Sequence, residues 1–267
     1  MTIILNRAAF LALSLLAAGT RPAAAGCVQL SSTAALAIGM KIYQNEAGQK
    51  ARFLTHWNEG EEFPSMGIGH FIWYPEGYMG PFEESFPKLV KHLRKNGAAL
   101  PAWLRKSPHC PWKTREDFYK DFDGPRLTEL RVLLESTIPL QAEFAAKRLK
   151  DSLPKLLKAL PRAERTHVKK QFDRVANQPL GLYPLVDYVN FKGEGVKDSE
   201  RYAGKGWGLL QVLQGMSGTA EDGSAAVEFA ASAERALEER VKNSPPERNE
   251  ARWLAAWKKR LKTYVEP

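Results

Sequence analysis

Apolar positions along the chain alternate between helical and irregular spacing, and that alternation predicts the elements. Ser31, Ser32 and Thr33 can cap a helix. Leu36, Ile38, Ile42 and Tyr43 then recur at near-helical spacing, and Gly48 is a natural stop. Residues 51 to 74 lose this period. Phe53, Trp57, Phe63, Phe71 and Trp73 are interspersed with Gly60, Pro64, Gly67 and Gly69, a pattern that predicts short strands joined by turns. Gly67 and Gly69 permit backbone angles closed to other residues.

Helical spacing returns after the loop from Pro75 to Pro81. Ser85, Pro87, Leu89, Val90 and Leu93 predict a helix that Asn96-Gly97 ends. The proline-rich stretch 98–113 reads as an irregular connection, Thr114 with Asp117 starts a short helix, and Asp123-Gly124-Pro125 is a break. From Arg126 to Ala176 the chain is mostly helical, with Leu127, Leu130 and Leu134 on one stripe and Pro139, Pro154 and Pro161 at starts or bends. Pro184 to Asn190 reads as a buried helix ending in the turn Gly193-Glu194-Gly195. A glycine-rich loop from Tyr202 to Gly208 then enters another apolar helix. Gly206 and Gly208, flanking Trp207, imply backbone packed against a helix or a sugar ring. Ala225–Lys242 and Arg248–Tyr264 are the last two helices, with Trp253, Trp257, Leu261 and Tyr264 placed on one side of the second. The expected fold is mainly α (α+β), a helical domain with a small β-hairpin near its N-terminus and added helices.

Composition narrows the partners. The 267 residues are 44% hydrophobic and 26% charged, which allows a proper core and argues against global disorder. The formal charge of +9 draws anionic polymers. Residues 1–25 read as a signal peptide: Arg7 is the basic start, Ala8 to Gly19 the apolar core and Ala23-Ala24-Ala25 the cleavage site. Its loss removes Arg7 and Arg21 and lowers the charge to +7. Residues 26–267 are then the mature unit, exported to the periplasm or secreted. Export disfavours nucleic acid as the partner and points to anionic cell-wall glycan. Cys27 follows Ala24-Ala25-Gly26 as in a bacterial lipoprotein processing site, although Ala24 stands where a larger aliphatic residue is usual. Cys27 is therefore a candidate for lipid attachment, the single expected membrane link, or for a disulfide with Cys110.

The motifs exclude several chemistries. No His-Glu-x-x-His and no cysteine pair at zinc spacing occurs, so neither a metal nor another cofactor is expected. No Gly-x-Ser-x-Gly and no phosphate-cradling loop occurs either. What remains is acid chemistry. Cleaving a glycosidic bond needs a proton donor and a carboxylate or polarised water. Glu46 is the natural donor. It lies in the last helical turn, where the helix dipole and burial both favour the protonated form. Glu59 is the candidate second carboxylate, Ser65 a candidate to position water, and Trp57, Trp73 and Tyr74 candidates to stack on sugar rings beside a groove.

The segment Ser65-Met-Gly67-Ile-Gly69-His70, following a helix-borne Glu46 in a Glu-x-Gly setting, resembles the active-site region of phage-type lysozymes. The resemblance implies a lysozyme-like domain in which Glu46 matches the catalytic Glu, Glu59 the second acid and Ser65 the family's Thr, with Gly67, Gly69 and His70 lining the substrate site. Twelve residues separate Glu46 from Glu59, more than the family's usual gap, and both Glu59 and Ser65 depart from the usual residue types. Gly206-Trp207-Gly208-Leu-Leu-Gln211 is similar to the Gly-Leu-Met-Gln loop of goose-type lysozymes and lytic transglycosylases. That likeness implies substrate contacts from Trp207 and Gln211 and makes Glu194 a rival catalytic acid. The expected function is cleavage of peptidoglycan by hydrolysis. Lytic transglycosylation and non-catalytic wall binding on the same fold are the alternatives.

Overall fold

The computed structural model describes residues 30–80, 82–178 and 180–265. The expected signal peptide and Cys27 lie outside these residues. Among the described residues 61% are helical and 5% lie in strands, a mainly α fold with two small antiparallel sheets.

The first helix, α1 (Ser32–Ala47), begins where the Ser31 side chain accepts a hydrogen bond from the Ala34 amide at 3.2 Å. It ends at Gly48 in the left-handed region, φ 53°, whose amide reaches back to the Tyr43 and Gln44 carbonyls. Ala35, Ile38, Ile42, Tyr43 and Ala47 are buried. Leu36, expected on the same face, is 46% exposed because a step of two residues from Ile38 turns it outward. Next come three strands of two residues each, β1 (Thr55–His56), β2 (Ser65–Met66) and β3 (Phe71–Ile72), paired antiparallel in chain order. The expected hairpin is thus a three-stranded sheet.

Helices α2 (Phe86–Lys95), α3 (Arg115–Lys120), α4 (Pro125–Ser136), α5 (Ile138–Lys158) and α6 (Arg162–Ala176) start near the predicted positions, although the Ser85 hydroxyl does not cap α2 and instead accepts from the Ile72 amide at 3.0 Å. Thr114 accepts from the Asp117 amide at 3.1 Å, and Pro125 opens α4 behind Gly124. Pro154 lies within α5 and does not end it. Helix α7 (Leu182–Lys192) stops at Gly193, φ 86°. Residues 201–206 form a second hairpin, β4 (Arg201–Tyr202) with β5 (Lys205–Gly206), where a loop was expected. Helices α8 (Leu209–Gln214), α9 (Ser224–Asn243) and α10 (Ala251–Lys262) complete the chain. Along α10, Leu261 is buried and Tyr264 just beyond it is too, but Trp253 is half-exposed, so the expected stripe is wet at its N-terminal end.

One apolar cluster runs from Ile38 through α5 and α7 to Tyr264. It ties the last helix to the first, and that closure positions the candidate site. No helix among the described residues is long and apolar enough to cross a membrane.

Candidate active site

Glu46 sits in the last turn of α1, with its side chain 13% exposed. Three elements meet its carboxylate. From the turn between β2 and β3, His70 places Nδ1 3.2 Å from Oε2. From α10, Arg260 places Nη2 2.5 Å from Oε1. From α7, Asp187 accepts from the same guanidinium at 2.7 and 2.8 Å and from the Tyr264 hydroxyl at 2.6 Å. Asp187 is fully buried.

The turn is rigidly made. Gly67 adopts φ 73° and donates its amide to the Leu54 carbonyl at 2.7 Å. A Cβ there would lie 2.3 Å from Gln141 Oε1. That amide oxygen, on fully buried Gln141 of α5, accepts from the Ile68 amide at 3.0 Å, while its Nε2 donates to the Leu134 carbonyl at 2.6 Å. Gly69 is needed for a different reason: a Cβ would meet the Phe71 ring at 2.6 Å. His70 itself takes φ 46° and remains 43% exposed in its side chain, so the turn offers it to solvent.

The electrostatics reverse one expectation. Burial pushes the Glu46 carboxyl up, as expected. Arg260, His70, the hydrogen bond from Arg260 and Lys192 together outweigh it and hold the group below its ordinary value. The resting Glu46 is an ionised carboxylate. The helix dipole, worth about 0.3–1 kcal/mol at such a position, is a small effect beside a guanidinium in direct contact. Arg260 is buried too, which alone would favour its neutral form, but Asp187 and Glu46 hold it firmly protonated. Lys192, at the end of α7, is pushed down to about 6 by burial and by neighbouring Arg240. Its amine lies 3.3 Å from the Trp257 ring centroid and 4.0 Å from that of Phe191.

The other expected site residues make no hydrogen bond or ion pair with Glu46, whose partners among the described residues are His70 and Arg260. Glu59 is exposed in the turn between β1 and β2 and makes no hydrogen bond or ion pair among the described residues. Ser65 is buried in β2. Trp57 and Trp73, each 1% exposed, are core residues with edge and face contacts to Phe118 and Phe86, so neither can offer a ring face to a sugar. Tyr74 is 7% exposed, and its hydroxyl is bonded to the Phe82 backbone. Trp207 is buried with the Arg240 guanidinium 4.2 Å over its ring. Gln211 turns inward, accepting from the Gly208 amide and donating to the Gly195 carbonyl, both at 3.0 Å. The close backbone packing predicted at Gly206 and Gly208 is therefore internal: a Cβ at Gly208 would lie 2.2 Å from the Gly195 nitrogen. Glu194 is held in its turn by Ser152 at 2.5 Å and Lys155 at 3.3 Å. Two open cavities, of about 450 and 1020 Å³, do not include Glu46, Ser65 or His70 in their linings.

Arg260, Asp187 and Gln141 were missed from sequence. Asp187 within an apolar helix was the available signal, because an acid buried there needs a cation. Cys110 is a buried thiol, pushed up to about 12 mainly by burial. No group of three His, Cys, Asp or Glu that could hold a metal lies among the described residues. The chain has no significant match to a protein-family model, a curated protein or a solved structure.

Proposed function

We propose that this protein cleaves a cell-wall glycan of the peptidoglycan type, with Glu46 as the proton donor. The observation that carries the proposal is the contact between Glu46 and His70, which joins a helix-end acid to a half-exposed imidazole on the Gly-Ile-Gly-His turn.

The ionised resting state sets the condition for catalysis. A general acid must carry a proton when the leaving oxygen needs one. Arg260 keeps two bonds to Asp187 whether or not Glu46 is charged, so protonating Glu46 does not strip Arg260 of its counter-ion. His70, 43% exposed in its side chain and 3.2 Å from Oε2, is the solvent-facing neighbour of the Glu46 carboxylate. With Glu59 exposed and unbonded, the cluster has one reachable carboxylate, an arrangement that also suits lytic transglycosylation, in which the sugar's own hydroxyl attacks and an anhydro end forms. The basic chain and its signal-like leader fit an anionic substrate outside the cytoplasm.

The test is a muropeptide digest by wild type, Glu46→Gln and Glu59→Gln, with products separated by end group. Expected are soluble products from wild type at pH 5, a loss of at least a hundredfold in Glu46→Gln, and retained activity in Glu59→Gln. Reducing ends identify hydrolysis and anhydro ends transglycosylation. Binding to sacculi without products, equal in wild type and Glu46→Gln, would replace both with a wall-binding role.

A further inference from the structure

A separate cavity of about 450 Å³ opens beside the β4–β5 hairpin, between it and α9. Its wall includes Arg201, Lys205, Gln211, Ser232, Arg235 and Glu239. The geometry points to this cavity as a binding site for an oxyanion, a carboxylate or phosphoryl group, held by Arg201 and Arg235 with Lys205 at the mouth.

The donors that remain free are the argument. Arg201 Nε is buried and has no hydrogen-bond partner, the one such side-chain atom among the described residues. Its Nη2 reaches the Gly195 carbonyl at 3.4 Å, a long bond. Native interiors rarely leave a guanidinium N–H unmatched, so Arg201 is a cation whose donors the protein itself only partly uses, on the wall of this cavity. Arg235 donates one bond, from Nη2 to the Gly215 carbonyl at 3.0 Å. Arg201, Lys205 and Arg235 form no ion pair among the described residues. The neutral side chains in the wall are already engaged. Gln211 bonds to Gly208 and Gly195, and Ser232 donates to the Val212 carbonyl at 2.7 Å. The one acid, Glu239, accepts from Asn243 at 2.9 Å and has Lys242 at 3.9 Å.

Three cations against one occupied acid give the cavity a net positive field. The planar guanidinium presents a fork of N–H groups that matches carboxylate and phosphoryl oxygens. The volume falls within the roughly 300–1,000 Å³ of small-ligand sites. The hairpin is fixed around it: Ala203 and Gly204 turn at φ 47° and 74°, and a Cβ on Gly206 would press on Gln211 at 2.7 Å. The wall contains neither Glu46 nor His70, so this site does not depend on the glycan-cleavage reading.

The experiment is calorimetric titration of the full chain with inorganic phosphate and, separately, acetate, at ionic strength held constant with sodium chloride. Saturable binding of at least one probe is expected, weakened at least tenfold in Arg235→Gln and severalfold in Lys205→Gln, and unchanged in Glu46→Gln. Lys205 is exposed, so its variant tests the site without risk to the fold. Binding of phosphate alone assigns a phosphoryl group, and of acetate alone a carboxylate. Absence of saturable binding for both probes overturns the inference, as does binding that Arg235→Gln and Lys205→Gln both leave within twofold of wild type.

Discussion

Replacing Arg260 with Met removes the cation that Glu46 and Asp187 share. Asp187 is fully buried and would keep a single donor, the Tyr264 hydroxyl at 2.6 Å. Breaking a buried ion pair on one side costs about 3–5 kcal/mol, because a charge is left without compensation. For a chain of this size each kcal/mol lowers Tm by roughly 2–4 °C, so the expected drop is about 6–20 °C. Thermal unfolding followed by circular dichroism at pH 7 measures it. The companion variant Arg260→Met with Asp187→Asn removes the stranded charge and should cost less than the sum of the two single changes. The pH dependence has a definite sign. Glu46 is lowered in the folded state, so its contribution is present above the unfolded carboxyl value and disappears as pH falls through its lower folded value. The difference between wild type and Arg260→Met should therefore shrink below about pH 4. A cost under about 1 kcal/mol, the size of an exposed pair, would show that the cluster is solvated and that Glu46 is not held as described.

Lys192 titrates near 6 when folded and about 10.4 when unfolded, so the unfolded chain binds more protons between these values. Stability should rise through that window by up to about 1.4 kcal/mol per pH unit, and its charging penalty is complete below pH 6. Urea unfolding at pH 6 and 9 should show wild type gaining on Lys192→Met; a constant gap would mean that the Trp257 and Phe191 rings keep the amine charged. Gly67→Ala should cost about 1–3 kcal/mol from φ 73° and more from the clash with Gln141, whereas Gly48→Ala, at φ 53° with open space around it, should cost about 1–2 kcal/mol. Equal urea midpoints for the two variants would remove Gln141 as the strut of the turn.

The legible parts of the chain were those decided within a few residues. Ser31, Gly48, Thr114, Gly124-Pro125 and Gly193 all mark helix ends where they were expected, because caps and left-handed glycines act on adjacent backbone. The aromatic residues were less legible. Trp57 and Trp73 lie close in sequence to Glu59 and His70, which suggested sugar platforms, yet a two-residue strand period sends them into the core. Spacing alone cannot distinguish a ring packed on Phe118 or Phe86 from one facing a groove.

The charge state of Glu46 shows where local reasoning reaches its limit. Everything near Glu46 in sequence, the helix end and the apolar face shared with Ile42, argued for a raised value. The deciding group is Arg260, 214 residues further along the chain. Arg260 is brought there because Leu261 and Tyr264 pack into the cluster that already holds α1 and α7, and its position is fixed by Asp187 before Glu46 is considered. Burial and pairing are thus one event: the packing that desolvates Glu46 also delivers its counter-ion. Proton donation from this residue must then be conditional, favoured at acidic pH and suppressed at neutral pH. A glycan-cleavage rate that stayed level from pH 5 to pH 8 would be incompatible with Glu46 as the acid, however the rest of the site is arranged.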